Sequence, residues 1–422
     1  MIEINRLRCS LALYGFEAIL QGMPQVARQG EILTLNGGSS SLKFAIFDVS
    51  RPGQHSTRGQ FDRLGRDGAT FRVESDLDSD DREIGRLDHR DATDYLLEWL
   101  DKKGELKAVV AVGHRIVHGG PRFVEPAIVD PAMLEELRRI SPFAPEHLPT
   151  ELEIVAACQR RLNGVPQIAC FDTAFHRSMP AAARMLPIPR RYFEQGVERY
   201  GFHGLSYTYL MSALELGAGR DAAHGRLILA HLGNGVSLAA VKEGKSIDTT
   251  MGFTPAAGVP MGTRSGDLDP GLVQYLALAE GLDAASFDRL VNHESGLLGI
   301  SGTSGDVRDL LHRETSDARA AEALALFCHC IRKAIGGLAT ALGGLDMLVF
   351  TGGIGEHSSE MRSRICEGIG FLGVDIDPAS NTADAAVIST LSARVQVRVV
   401  ATDEEAVIAQ ATAALLNKEA YE

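Results

Sequence analysis

Short, nearly unbroken apolar runs recur along the chain: Ile32-Leu33-Thr34-Leu35, Phe44-Ala45-Ile46-Phe47, Val109-Val110-Ala111-Val112, Gln167-Ile168-Ala169-Cys170-Phe171, Leu227-Ile228-Leu229-Ala230, Ser237 to Val241 and Met347-Leu348-Val349-Phe350. Continuous rather than alternating apolarity over such lengths predicts strands covered on both faces. Between them run longer segments with apolar residues at helical spacing, including Ala320 to Leu342 and Glu404 to Leu416. Strands alternating with helices define an α/β chain. The acidic run Asp78-Ser79-Asp80-Asp81, between sheet-like and helical patterns, reads as a solvated loop.

Three of the apolar runs lead into glycine turns: Asn36-Gly37-Gly38-Ser39, His231-Leu232-Gly233-Asn234-Gly235 and Thr351-Gly352-Gly353-Ile354-Gly355. The first two continue into a second strand, a repeated layout that predicts an internal duplication. A turn without side chains lets successive backbone N–H groups approach an anion. One such turn is usually only a turn; several leaving buried strands point to a nucleotide cleft. None has the spacing G-x-x-x-x-G-K-[ST], and Gly353-Ile354-Gly355 lacks G-x-G-x-x-G, so neither standard nucleotide motif accounts for them.

With 422 residues, 45% of them hydrophobic, the chain can bury two domain cores. A formal charge of -13 disfavours a non-specific grip on nucleic acid or anionic lipid and leaves a small molecule as the expected partner. The 6 cysteines lack the dense spacing of a disulfide framework, which predicts free thiols in a reducing, cytoplasmic setting. Cys328-His329-Cys330 lies in a helical pattern, where side chains at i and i+2 diverge, so packing explains it better than a metal. Residues 1–30 read as an N-terminal extension without fixed structure: Arg6 and Arg8 precede Leu11-Ala12-Leu13-Tyr14 as in a signal peptide, but Glu17 interrupts the pattern, and Met23 offers an alternative start. No other segment reads as long and apolar enough to span a bilayer.

Polar clusters suggest what else the cleft holds. Gly113 to Gly120 and Met261 to Asp267 set Arg115 and Arg264 among glycines, where a planar guanidinium suits carboxylate or phosphate oxygens, with a surface ion pair as the alternative. His114 and His118 are four apart on a strand pattern without the Glu of a metalloprotease helix, so zinc is set aside. Asp172 ends a buried run, and His203 stands between glycines in Tyr200-Gly201-Phe202-His203-Gly204, where alone it would read as a structural histidine.

Taken in order and spacing, LNGGSSSLKF, GHRIVHGG, FDTAFH, YGFHGLSY, HLGNGVSLAAVKEGKSIDTTMGFTP, GVPMGTRSGDLDPG, FTGGIGEH and TDEEAVIA resemble the acetate/propionate kinase family, from about Glu31 to about Ala414. The resemblance implies a two-lobed actin-like ATPase fold with duplicated RNase H-like domains, mixed β-sheets flanked by helices, closing over a cleft. It places residues 31–172 with 404–422 in a first lobe and 173–403 in a second, in a homodimer without nucleic-acid or membrane partners. It implies reversible transfer of the ATP γ-phosphoryl group to acetate with Mg²⁺, or Mn²⁺ in its place.

The resemblance also assigns roles. Asn36 and Glu404 are associated with the metal, and Lys43 touches the nucleotide phosphates. His231, Leu232, Gly233, Asn234 and Gly235 line those phosphates, with Asp306, Val307 and Arg308 and with Gly353, Ile354, Gly355, Glu356 and His357 around the adenosine. Arg115 binds the substrate carboxylate, and Val117, Phe202 and Pro255 form a small apolar pocket for its tail. His203 and Arg264 stabilise the transition state, and Asp172 is the catalytic acidic residue. Because a carboxylate nucleophile is already ionised at neutral pH, Asp172 is expected to orient other groups rather than act as a base.

Several positions depart from the family pattern: Glu146 where leucine is common, Leu148 for asparagine, Val307 for an aromatic and His357 for asparagine. A carboxylate at Glu146 either points outward, pairs with a base such as His147, or reshapes the acyl pocket, and Glu146→Leu is expected to shift preference among short acids. The alternatives are a kinase of propionate, butyrate or another short acid, and a non-catalytic actin-like nucleotide-binding protein. Retention of Arg115, His203 and Arg264 argues against the latter.

Overall fold

In a computed structural model, which describes residues 30–75 and 79–419, the first apolar runs become β1 (Glu31–Gly37) and β2 (Ser41–Asp48), an antiparallel hairpin joined by the glycine-serine turn. The readings made for residues 1–29 lie outside the described residues. The chain divides into two compact units, one running as far as Ala174 and resuming at Asp403, the other spanning Phe175–Thr402.

The first unit continues with β3 (His55–Asp62), β4 (Ala69–Ser75), β5 (Ser79–Gly85), β6 (Val109–Ile116), β7 (Ala127–Ile128) and β8 (Gln167–Phe171) in an 8-stranded sheet of order β5-β4-β3-β2-β1-β6-β8-β7. The second contains β9 (Arg226–Leu232), β10 (Val236–Lys242), β11 (Lys245–Thr249), β12 (Met347–Thr351) and β13 (Gln396–Val399) in a 5-stranded sheet of order β11-β10-β9-β12-β13. In both, an antiparallel meander is followed by two parallel strands: β3-β2-β1-β6-β8 in one, β11-β10-β9-β12-β13 in the other. The duplication inferred from two glycine turns is therefore a repeated sheet topology.

Burial follows the strand pattern. β1 is buried from Ile32 to Gly37, as a central strand requires, whereas β4 buries Ala69, Phe71 and Val73 in alternation. Phe61 and Phe71 meet with ring centroids 4.7 Å apart over a core that takes in Leu96, Leu97 and Leu100 from the helix His89–Lys103. The helix Glu404–Glu419 packs on β1 and β6. Close approach there requires Gly113, since a Cβ would lie 2.4 Å from Ile408 Cγ2.

Two sequence expectations change. Ser79, Asp80 and Asp81 belong to β5 rather than to a loop, and Arg72 pairs with Asp81 across the ladder; charge on an edge strand discourages further pairing. The helix Ala318–Leu342 is long and apolar enough to cross a membrane by composition, contrary to the expectation for that segment. Its stripe of Ala320, Leu324, Phe327, Ile331 and Ile335 instead packs against β9, β10 and β11, and Asp317 and left-handed Gly343 cap it, so it is the core helix of its unit. Within it Cys328 is buried and His329 exposed, and Cys158, Cys170, Cys328, Cys330 and Cys366 are all free.

Candidate active site

In the first unit the ends of β1 and β6 bring polar groups together where the apolar runs stop. Asn36, at the end of β1, donates from Nδ2 to Glu404 Oε2 at 2.9 Å and to Glu405 Oε1 at 3.0 Å. Burial raises the Glu405 carboxyl, against the lowering pull of Lys43. Lys43 itself is exposed and sits opposite Asn36 in the hairpin register.

Arg115, near the end of β6, donates from Nε and Nη2 to Asp172 Oδ2 at 2.9 Å and 2.6 Å, and from Nη1 to the Gly37 carbonyl at 3.0 Å. Burial alone would lower the Arg115 guanidinium; the Asp172 carboxylate, helped by Glu404, more than reverses this, so it stays charged. Val117, buried two residues on, donates its N–H to Glu151 Oε2 at 2.9 Å. Neighbouring histidines are structural: His114 Nε2 donates to Gln167 Oε1 and His118 Nδ1 accepts the Gly120 N–H. Burial lowers them to about 4 and about 3, so both are neutral.

In the second unit the glycine turn between β9 and β10 is ringed by donors. His203 adopts φ 59° and ψ 26° just before the helix Gly204–Ala218, a left-handed conformation that costs a non-glycine residue energy and recurs at functional sites. Its Nδ1 meets Ser237 Oγ at 2.8 Å, and its ring stacks on His231 with centroids 4.2 Å apart. His231 Nδ1 is held in turn by Ser206 Oγ at 2.9 Å. A Cβ on Gly235 would lie 3.1 Å from His203 Nε2 and 3.7 Å from Arg264 Nη1, so both side chains converge on bare backbone. Arg264 Nη1 also donates to the Pro255 carbonyl at 3.3 Å, and a Cβ on Gly233 would lie 4.0 Å from the Gly353 nitrogen.

The third glycine segment is not a hairpin turn but the start of a helix, Gly352–His357. Glu356 turns inward, Oε1 accepting from the Gly352 and Thr402 amides at 2.8 Å and 3.2 Å, while His357 is exposed. Fully buried Arg362 donates from Nη1 to the Gly355 and Glu356 carbonyls at 2.9 Å each, closing the end of this helix. Asp306 caps the helix Val307–Arg313, and its hydrogen-bonded pairing with Arg308 holds its carboxyl below the usual range. Val307 and Phe202 are buried, and the Phe202 carbonyl accepts from His176 Nε2 at 3.0 Å.

The sequence profile of the acetokinase family matches residues 31–410. The chain belongs to the acetokinase family. Members of that class are phosphotransferases with a carboxyl group as acceptor and ATP as co-substrate. An acetate kinase from Rhodopseudomonas palustris is 43% identical over 393 residues, 90% of this chain and 96% of its own length. A propionate kinase from Citrobacter rodentium is 42% identical over 387 residues, 90% and 95% of the two chains. The crystal structure of Porphyromonas gingivalis acetate kinase superposes with a TM-score of 0.82 at 37% identity, covering 92% of this chain and 100% of that one. That of a propionate kinase from Francisella tularensis gives 0.83 at 34%, covering 91% and 99%.

Within this family member the first unit assembles Asn36, Arg115, Asp172 and Glu404, and the second assembles His203, His231, Gly233, Gly235, Pro255 and Arg264. Among the described residues no group of three or more His, Cys, Asp or Glu is arranged to hold a metal. Asn36 Oδ1, which here accepts from Arg115 Nη1 at 3.4 Å, and the Glu404 carboxylate are oxygen donors of the kind Mg²⁺ uses, one or two protein ligands with the rest from phosphate and water. Glu146 is exposed, so its carboxylate is not enclosed in an apolar pocket. The buried carboxyl is Glu151, which the sequence reading passed over together with Glu405, Ser237 and Arg362.

Proposed function

We propose that the chain catalyses reversible transfer of the γ-phosphoryl group of ATP to acetate, giving acetyl phosphate and ADP, with propionate as the alternative acceptor. A carboxylate oxygen attacks the γ-phosphorus in line, and the bond to the ADP oxygen breaks as the new one forms, with ADP leaving with the electron pair. No proton is moved, because the acid is already ionised. The observation that carries the reading is the convergence of His203 and Arg264 on Gly235, which offers two donors to phosphoryl oxygens over backbone that cannot obstruct them. Membership of the acetokinase family supports the acceptor.

In this reading Arg115 grips the substrate carboxylate, with Asp172 holding its guanidinium, and Val117, Phe202 and Pro255 surround the tail. His231 to Gly235 and Lys43 take the nucleotide phosphates, with Asp306 to Arg308 and Gly353 to His357 on the nucleoside. Asn36 and Glu404 would hold Mg²⁺, which when bound neutralises charge on the phosphates. The residues themselves order that charge: His203 is fixed by Ser237, and His231 by Ser206.

A homodimer is supported by the helix Gly271–Glu280, none of whose residues is buried although Tyr275 and Leu278 are 63% and 80% exposed. Cytoplasmic residence is supported by the free thiols. The test is a panel of short acids with ATP and Mg²⁺, acyl phosphate being trapped by hydroxylamine. Acetate and propionate are expected to give hydroxamate in an ATP-dependent manner; no product with any acid would overturn the reading.

A further inference from the structure

Beneath the Arg115 cluster lies a carboxyl that none of the roles above uses. Glu151, in the first turn of the helix Leu148–Arg161, is 2% exposed. Its Oε2 accepts the Val117 N–H at 2.9 Å, and its Oε1 is buried without a hydrogen-bond partner among the described residues. A Cβ on Gly37 would lie 3.9 Å from Glu151 Cγ, and the Gly37 carbonyl is the group that receives Arg115 Nη1. Glu151 thus holds one of the backbone points that frame Arg115, the Val117 amide, and lies beside a second, Gly37, where Ile154 packs closer.

We propose that Glu151 is a positioning residue of the acid-binding half of the site, holding the Val117 amide so that Arg115 and the Val117 wall keep one geometry toward the substrate carboxylate. The assignment rests on the carboxylate-kinase reading above. It does not require Glu151 to touch substrate.

The protonation state agrees with this task. Burial pushes the Glu151 carboxyl up to about 8, with Arg115 pulling it down and Asp172 pushing it up. Asp94 and Asp101, on the helix His89–Lys103 that packs against the same helix, act at its other end, on Cys158 and Arg161. At neutral pH Glu151 is therefore a neutral acid, which holds an amide without adding a negative charge where an anion must bind. A glutamine preserves both properties, and an alanine neither.

Wild type, Glu151→Gln and Glu151→Ala are compared in full-length protein by steady-state kinetics with acetate and ATP, and by amide exchange around Val117 read by mass spectrometry. Leaving a buried amide unsatisfied is expected to raise the acetate KM of Glu151→Ala about tenfold or more, with the ATP KM within about twofold. Exchange around Val117 accelerates in that variant. Glu151→Gln is expected to restore both readouts and to lack the rise in acetate KM that ionisation of Glu151 is expected to cause in wild type as pH passes about 8. Unchanged exchange at Val117 in Glu151→Ala overturns the proposal whatever the activity, as does an unchanged acetate KM in an active background. Absence of wild-type turnover strikes the functional reading instead, and the exchange measurement still decides the role of Glu151.

Discussion

Asp172 receives two hydrogen bonds from Arg115 on a single oxygen, Oδ2, at 2.9 Å from Nε and 2.6 Å from Nη2, and its side chain is fully buried. A carboxylate so engaged is placed to aim a guanidinium rather than to take a proton. Asp172→Asn is expected to reduce kcat/KM for the acid by roughly 10²-fold, in the range of a lost preorganised charge contact. The decisive measurement is the double-mutant cycle with Arg115→Ala. If Asp172 acts through Arg115, the double variant is no worse than the poorer single one within about threefold; multiplying effects would assign Asp172 a separate task.

Gly235 sits where His203 and Arg264 meet, and the room for a side chain is already taken. Gly235→Ala places a methyl 3.1 Å from His203 Nε2 and 3.7 Å from Arg264 Nη1, so one donor must move. We expect kcat to fall by about 10²-fold with little change in melting temperature, since the turn lies at the edge of the core. Arg264→Ala, which removes the charge outright, is expected to cost on the order of 10³-fold in kcat. Single-turnover kinetics reads both, and near-normal rates in Arg264→Ala would remove it from the chemical step.

The strands and the helix Ala318–Leu342 were legible because continuous and helically spaced apolar runs report burial directly. The donors at the glycine turns could be located from spacing and resemblance, but not oriented: nothing in Gly353-Ile354-Gly355-Glu356 says that Glu356 turns back on Gly352. Two buried charged residues did leave a signal. Glu151 shares a helical stripe with Ile154, Val155 and Cys158, and Arg362 one with Ile365 and Cys366. A charged residue on an otherwise apolar stripe has to find a buried partner, which marks it as a positioning group before any coordinates are known.

Arg362 makes the stability side of that argument measurable. Its guanidinium is entirely enclosed by Asn381, Asp384 and the Gly355 and Glu356 carbonyls, so removing it leaves several acceptors unsatisfied at once. Arg362→Met is expected to destabilise the protein by about 3–5 kcal/mol in urea unfolding. In the folded fraction the KM for ATP rises while that for the acid holds, because the helix Gly352–His357 loses its closing contact. A loss under about 1 kcal/mol would show that water replaces the guanidinium without cost.

His176 gives a pH dependence whose sign is fixed. Burial lowers it from 6.5 to about 4, opposed by its hydrogen bond to the Phe202 carbonyl, so the folded chain keeps it neutral where the unfolded chain takes up a proton. Its contribution is fully present above about 6.5 and is lost as pH falls toward 4, at about 1.4 kcal/mol per pH unit. Several buried carboxyls have raised values and act in the opposite direction, so total stability is not the readout. The difference in unfolding free energy between wild type and His176→Gln is. It is expected to shrink by about 2 kcal/mol between pH 6.5 and 5; a constant difference would mean that His176 titrates normally.

Glu146 and Glu151 lie five residues apart and differ in burial. Glu146, the departure that pointed to an altered acyl pocket, is exposed, whereas Glu151 is buried on the Val117 amide. An exposed carboxylate is not enclosed in an apolar pocket, so replacing it is expected to change little, within about 0.5 kcal/mol. The expected outcome for Glu146→Leu is therefore a ratio of kcat/KM for acetate over propionate within about twofold of wild type, the reverse of the sequence expectation. A shift of tenfold or more, measured with both acids at saturating ATP, would put the Glu146 side chain back among the groups that choose the acid.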